Sequence, residues 1–129
     1  MIFDAGNLFL DEKAITTYGT TPAASDNIVA NTGGGDAYEA PWLVVLVTGA
    51  ATDGGDLTIE LQHDDDPTMA TATTVTSFEV EEGSIGQVVA DRLPVGMKPY
   101  IQLLLTGSAS MTGDAVITAG LVLDPDIKA

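Results

Sequence analysis

The chain contains no cysteine, only four basic residues and few aromatic ones, and each shortage closes off a class of function. Without cysteine there is no disulfide, no thiolate zinc site and no cysteine nucleophile. Redox compartment is therefore not legible. Lys13, Arg92, Lys98 and Lys128 stand against nineteen acidic residues, a formal net charge of -15. A surface so negative repels phosphate backbones and anionic membranes, and four scattered cations cannot form the basic stripe that nucleic-acid binding needs. No nucleic acid and no membrane partner is expected. The longest apolar run, WLVVLV from Trp42 to Val47, falls far short of the ~20 residues of a bilayer span. The opening MIFDAGNLFL lacks a basic region and carries Asp4, so it does not read as a secretory signal. The expectation is a soluble protein synthesised in a cytoplasm.

What the chain does have is β-periodicity. Its 129 residues, 45% of them hydrophobic, suit one domain over 1–129. Size scaling allows about two-thirds of the unfolded surface to be buried, enough for a core without covalent staples. In LTIELQH, Leu57, Ile59, Leu61 and His63 share one face while Thr58, Glu60 and Gln62 share the other, the pattern of a half-buried strand. YIQLLLTG and AVITAGLVLD alternate less cleanly and read as mostly buried strands, and TTVTSFEV is rich in β-branched residues. Turn clusters such as NTGGGD, GAATDGGD, HDDDPT, LPVGMKP and GSASMTGD separate them, using many of the fourteen glycines and six prolines.

Strands are expected near 14–17, 27–30, 42–48, 56–63, 73–80, 87–93, 100–106 and 115–123, about eight in all, which favours an all-β sandwich or jelly roll. Only VEEGSIGQ is compatible with a helical turn. Residues 1–17 form either an N-terminal arm or an edge strand, and TYGTTPAASDN (17–27) reads as the flexible connection to the sandwich. An arm bearing Ile2, Phe3, Leu8, Phe9 and Leu10 would order on a partner by adding a strand to a sheet edge.

Catalytic signatures are missing. His63 is the only histidine and no G-x-S-x-G elbow accompanies it, so a nucleophilic triad has no parts to work with. NTGGGDAY is glycine-rich but lacks the Lys and Ser/Thr of a phosphate loop. His63, Asp64, Asp65 and Asp66 form the one cluster that invites a cation. Adjacent aspartates on an extended chain point to alternate sides, however, and no glycine or distant Glu follows at the calcium-loop offsets. The preferred reading is that His63 caps the core rim while the acids stay hydrated and end the strand before Pro67. No metal, cofactor or enzymatic activity is expected. Trp42 opens WLVVLV, either as part of a central strand buried on both faces or as a subunit contact.

The segments MIFDAGNLFLDEKAIT, WLVVLVTGA, LTIELQHDDD, LPVGMKPYIQLLLTGS and GDAVITAGLVLD occur in this order. Together they resemble the small jelly-roll cement, or decoration, proteins on tailed-bacteriophage capsids. The resemblance spans most of the chain and is weakest in 18–40 and 64–86. It implies a structural, non-enzymatic virion protein on the outer surface of an icosahedral head, synthesised in the host cytoplasm. Its partners would be the major capsid protein and itself, as a homodimer or homotrimer, with Ile2, Phe3, Leu8, Phe9, Leu10 and Trp42 as contacts. The competing reading is a β-sandwich carbohydrate-binding module assisted by calcium, using Tyr38 near Asp36 and Glu39. Such modules more often expose several aromatics, and these make up only 5% of the chain. A small hydrolase is a third, weaker reading.

Overall fold

The computed structural model describes residues 8–30, 42–49, 56–81, 83–94, 97–109 and 113–122. Nine strand segments run β1 (Leu8–Ala14), β2 (Ala23–Ala24), β3 (Val29–Ala30), β4 (Trp42–Thr48), β5 (Leu57–Asp64), β6 (Thr73–Val80), β7 (Gly86–Arg92), β8 (Tyr100–Gly107) and β9 (Val116–Val122). They form two antiparallel sheets. The first has the order β1-β9-β4-β7, and the second β2-β8-β5-β6 with β3 also paired to β8. First and last strands are thus neighbours, and β4 and β5, though consecutive, belong to different sheets. This is the winding of a jelly roll.

β2 and β3 act as one interrupted strand along β8. Between them the Ser25 amide donates to the Leu103 carbonyl (2.7 Å), and the Ser25 hydroxyl accepts from the Leu103 amide (3.1 Å) and donates to the Asn27 carbonyl. A side chain thereby replaces a missing ladder contact, and the buried backbone groups stay satisfied.

The core lies between the sheets. Leu43, Val45 and Val47 of β4 and Ile117, Ala119 and Leu121 of β9 face Leu57, Ile59 and Leu61 of β5 and Ile101, Leu103 and Leu105 of β8. Alternation over 57–62 of β5 and along β8 places apolar residues inward, as the period-two reading requires. Gly49, at φ +100°, lets β4 end against the β9 entry. A Cβ there would meet the Asp114 carbonyl oxygen at 2.7 Å.

Two expectations need correction. No strand occupies 14–17: Ile15–Thr17 is a 3-10 turn, and the first strand lies before it, at Leu8–Ala14. β1 escapes a period-two search because two register shifts against β9 interrupt it, between Leu8 and Leu10 and between Leu10 and Lys13. Bulges of this kind put consecutive residues on one side, here Phe9 and Leu10, both fully buried. Glu12 takes up the second shift at φ 48° and donates its amide to the Thr118 hydroxyl. Nor is 17–27 simply a connection, since it contributes β2 and the buried Tyr18 and Ser25. VEEGSIGQ holds a turn in which the Ser84 amide donates to the Glu81 carbonyl. The only helical turn among the described residues is Ile15–Thr17.

Candidate functional site

The acidic strand end does not assemble a cation site. Asp64, the last residue of β5, is buried. Its carboxylate accepts from the Asp66 amide (3.0 Å), the Thr71 amide (2.7 Å) and the Thr71 hydroxyl (2.9 Å). Burial alone would raise its pKa, but the donors from Asp66, Thr71 and Asp65 outweigh that and hold it below the ordinary value. Its oxygens are thus engaged by its own loop. Asp66 accepts from the Thr68 amide and hydroxyl, a turn of the kind Asp-Pro-x favours. Asp65 is exposed and lies 3.8 Å from the Lys98 ammonium. The half-buried His63 accepts the Lys98 amide at Nδ1 (3.1 Å), which fixes that nitrogen as an acceptor.

No group of three or more His, Asp or Glu side chains converges on a point among the described residues. The expectation that all three aspartates stay hydrated is therefore corrected for Asp64, which anchors the β5–β6 connection. Its partner Thr71 is seven residues away, too far for the strand pattern to signal.

The outer faces of the two sheets differ. On the β2-β8-β5-β6 sheet the outward residues include Thr58, Glu60, Gln62, Thr74, Ser77, Glu79, Gln102 and Thr106. A ladder crosses three strands: Gln102 donates to Gln62 (2.7 Å), Gln62 to the Thr74 hydroxyl (3.3 Å) and Thr74 to Glu60 (3.4 Å). On the β1-β9-β4-β7 sheet the outward positions of β4 and β9 are Trp42, Val44, Leu46, Val116, Thr118, Gly120 and Val122, with Ala90 and Arg92 beside them on β7. No carboxylate is among them. The guanidinium of Arg92 lies 5.4 Å from the centroid of the Trp42 ring, within cation–π range. Fifty residues separate this pair, and only the β4–β7 register, which sets Trp42 opposite Arg92, brings them together.

WLVVLV is a central strand with Leu43, Val44 and Val45 at 0% exposure, while Trp42 and Leu46 are half-buried. Of the six contact candidates, Phe9 and Leu10 are interior residues and cannot be presented by an arm. Leu8 is half-buried on the edge strand β1, and Ile2 and Phe3 lie outside the described residues. Asp36, Tyr38 and Glu39 also lie outside them.

Fold and surface together define the class: a jelly-roll β-sandwich in which the central strands β4 and β9 of one sheet carry no acid. Compared with known proteins, the chain matches no family model and no curated protein.

Proposed function

We propose that this protein is a capsid decoration protein of a tailed bacteriophage, which works by binding rather than catalysis. It attaches to the outside of an assembled head and bridges neighbouring major capsid proteins. The observation that carries the reading is the acid-free pair of central strands β4 and β9, whose outer positions are mostly apolar, in a chain of net charge -15. Docking centred on Trp42, Leu46 and Val116 meets no carboxylate on β4 or β9, with Asp11 and Glu12 confined to the edge strand β1, whereas docking through the opposite face would bury Glu60 and Glu79 at its centre. The jelly-roll winding supports the same reading, because it is the fold that the sequence resemblance implies. As a dimer or trimer, each unit contacts several capsid subunits, so modest single-site affinities multiply. Binding only the assembled lattice adds free energy to that lattice.

The test is sedimentation of bare capsids with this protein across a sodium chloride series. Screening shortens from about 10 Å at 0.1 M to about 3 Å at 1 M, so an apolar contact between acidic surfaces should hold or strengthen. A steep fall in bound fraction would assign the contact to ion pairs and overturn the apolar mechanism. Leu46→Glu should reduce the bound fraction about tenfold or more, by placing a charge in the contact.

A further inference from the structure

The two long sides of the sandwich are built differently. On one side β1 meets the β2/β3 strand, and cross-links close the seam. The Asn27 amide donates to the Phe9 carbonyl (3.2 Å), the Asn27 side chain to the Leu8 carbonyl (3.2 Å), and Lys13 pairs with Asp26 at 3.1 Å. On the other side β6 and β7 end their sheets, and a cleft of about 220 Å³ opens between them. Leu43 and Leu61 from the core line it, with Phe78 of β6, Leu93 and the exposed Asp91.

Among the described residues β6 pairs only with β5, leaving alternate backbone N–H and C=O groups along its outer edge unpaired. Natural edges are usually blunted by lysine, proline, inward charge or a bulge. β6 has one bulge, at Val75, where Leu61 pairs with Thr76 and Gln62 with Thr74. Beyond it Thr76–Val80 runs regularly, without lysine or proline and with Glu79 as its only charge.

We propose that the β6 edge and the adjoining cleft form a docking site for an extended segment of a partner protein. The segment adds as a strand to the β2-β8-β5-β6 sheet, inserts one large apolar side chain into the cleft, and sets a lysine or arginine against Asp91. The geometry follows from strand addition. A new strand about 4.8 Å outside β6 continues the sheet's inward face with every second side chain, and that face lies over Leu43, Leu61 and Phe78.

The volume suits one side chain rather than a drug-sized ligand, which takes roughly 300–1,000 Å³. Charge selects a basic partner. Arg92 also borders the cleft, but its guanidinium is drawn over Trp42, so Asp91 is the carboxylate at the mouth. A second copy of this chain brings a net charge of -15, and a β6 edge that offers Asp91 no cation. The site stands independently of whether the partner belongs to a capsid.

The experiment titrates the full-length protein with the blocked peptide Thr-Lys-Thr-Phe-Thr-Lys-Thr, whose Phe and two Lys share one face of a strand, and follows backbone amides by NMR. Shifts concentrated in Thr76–Val80 and Asp91–Leu93 are expected. Replacing the peptide's Phe by Ser should weaken binding about tenfold or more, and Asp91→Asn in the protein about threefold. A peptide N-methylated on alternate residues, so that it cannot pair with β6, should not bind; this arm leaves the protein unaltered. The proposal is overturned by absence of binding at millimolar peptide, by shifts mapping elsewhere, or by equal binding of the N-methylated peptide. Dimerisation of the free protein through β6 would also overturn it, by making a second copy the occupant.

Discussion

The outer faces of the two sheets enclose the same core, yet one resembles a protein surface and the other a second interior. Across β8, β5 and β6 the outward side chains are, Leu104 apart, mostly amides, hydroxyls and carboxylates, four of them joined in a ladder from Gln102 through Gln62 and Thr74 to Glu60. Across β9 and β4 they are Trp42, Val44, Leu46, Val116 and Val122 with Thr118 and Gly120 between, and Val44 is 0% exposed although it points away from the core between the sheets. An antiparallel sheet with one solvated face alternates in sequence, whereas one covered on both faces reads as a continuous apolar run. The contrast between LTIELQ and WLVVLV is that rule within one chain. The half-buried positions Trp42, Leu46 and Val116, on strands without an acid, are where contact is least opposed by fifteen net charges.

Introducing the same charge on both faces should break the comparison most visibly. Val44→Lys places an ammonium at a fully buried position and should cost about 4 kcal/mol or more, unfolding much of the population. Thr106→Lys, on the polar face, should stay within about 0.5 kcal/mol. Thermal denaturation of the two variants measures the difference, and equal losses would mean that the faces are energetically alike.

The polar sheet has its own interior-like point at Asp64, so the next test sharpens where its surface ends. Asp64→Ala removes the acceptor for two amides and a hydroxyl and should lower Tm by about 5 °C or more. Asp65→Asn, at an exposed neighbour, should barely move it. Because the folded-state pKa of Asp64 is lowered, its contribution is present above the ordinary carboxylate value and lost as pH falls through the depressed one. The wild type should therefore show an acid-side loss of Tm that Asp64→Ala lacks.

Tyr18 probes the core that both faces cover. Its hydroxyl is buried without a hydrogen-bond partner among the described residues, and burial, followed by the Asp26 charge, pushes its pKa up to about 12 from 10.0. A raised folded-state pKa means the folded form holds its proton longer than the unfolded form. Stability should fall by about 2 kcal/mol as pH rises from 10 to 12. Tyr18→Phe should remove that slope and, at neutral pH, change stability by less than about 1 kcal/mol or raise it. Chemical denaturation at a series of alkaline pH values tests both statements.

The smallest effect belongs to Glu79 on the polar face, whose pKa is raised by its hydrogen bond to Asp56, then by the Asp56 charge, burial and Glu81. Stability should decline slightly as pH rises through that elevated value. Glu79→Gln should flatten the decline and give a slightly higher Tm at neutral pH.

Much of the sandwich was legible because strand alternation is a local property. The expected strands at 42–48, 56–63, 73–80, 87–93, 100–106 and 115–123 match β4 through β9 to within about two residues, the usual uncertainty of element boundaries. β1 was not legible, since the bulges that turn both Phe9 and Leu10 inward are imposed by pairing with β9 and leave no period in LFLDEKA. Nor was the role of Asp64, whose hydration depended on whether Thr71 would fold back over it.

By itself, then, the sequence determined a strand-built core without covalent staples, an acidic exterior and the absence of a basic stripe, since composition and side-chain alternation act residue by residue. Only the tertiary structure decided that Trp42 meets Arg92, that one seam is stitched by Asn27 and Lys13 while the other opens as a cleft, and that one of three adjacent aspartates is buried. Each of these depends on which strand becomes whose neighbour. That choice is made by closing the whole core at once, and no local pattern in the chain encodes it.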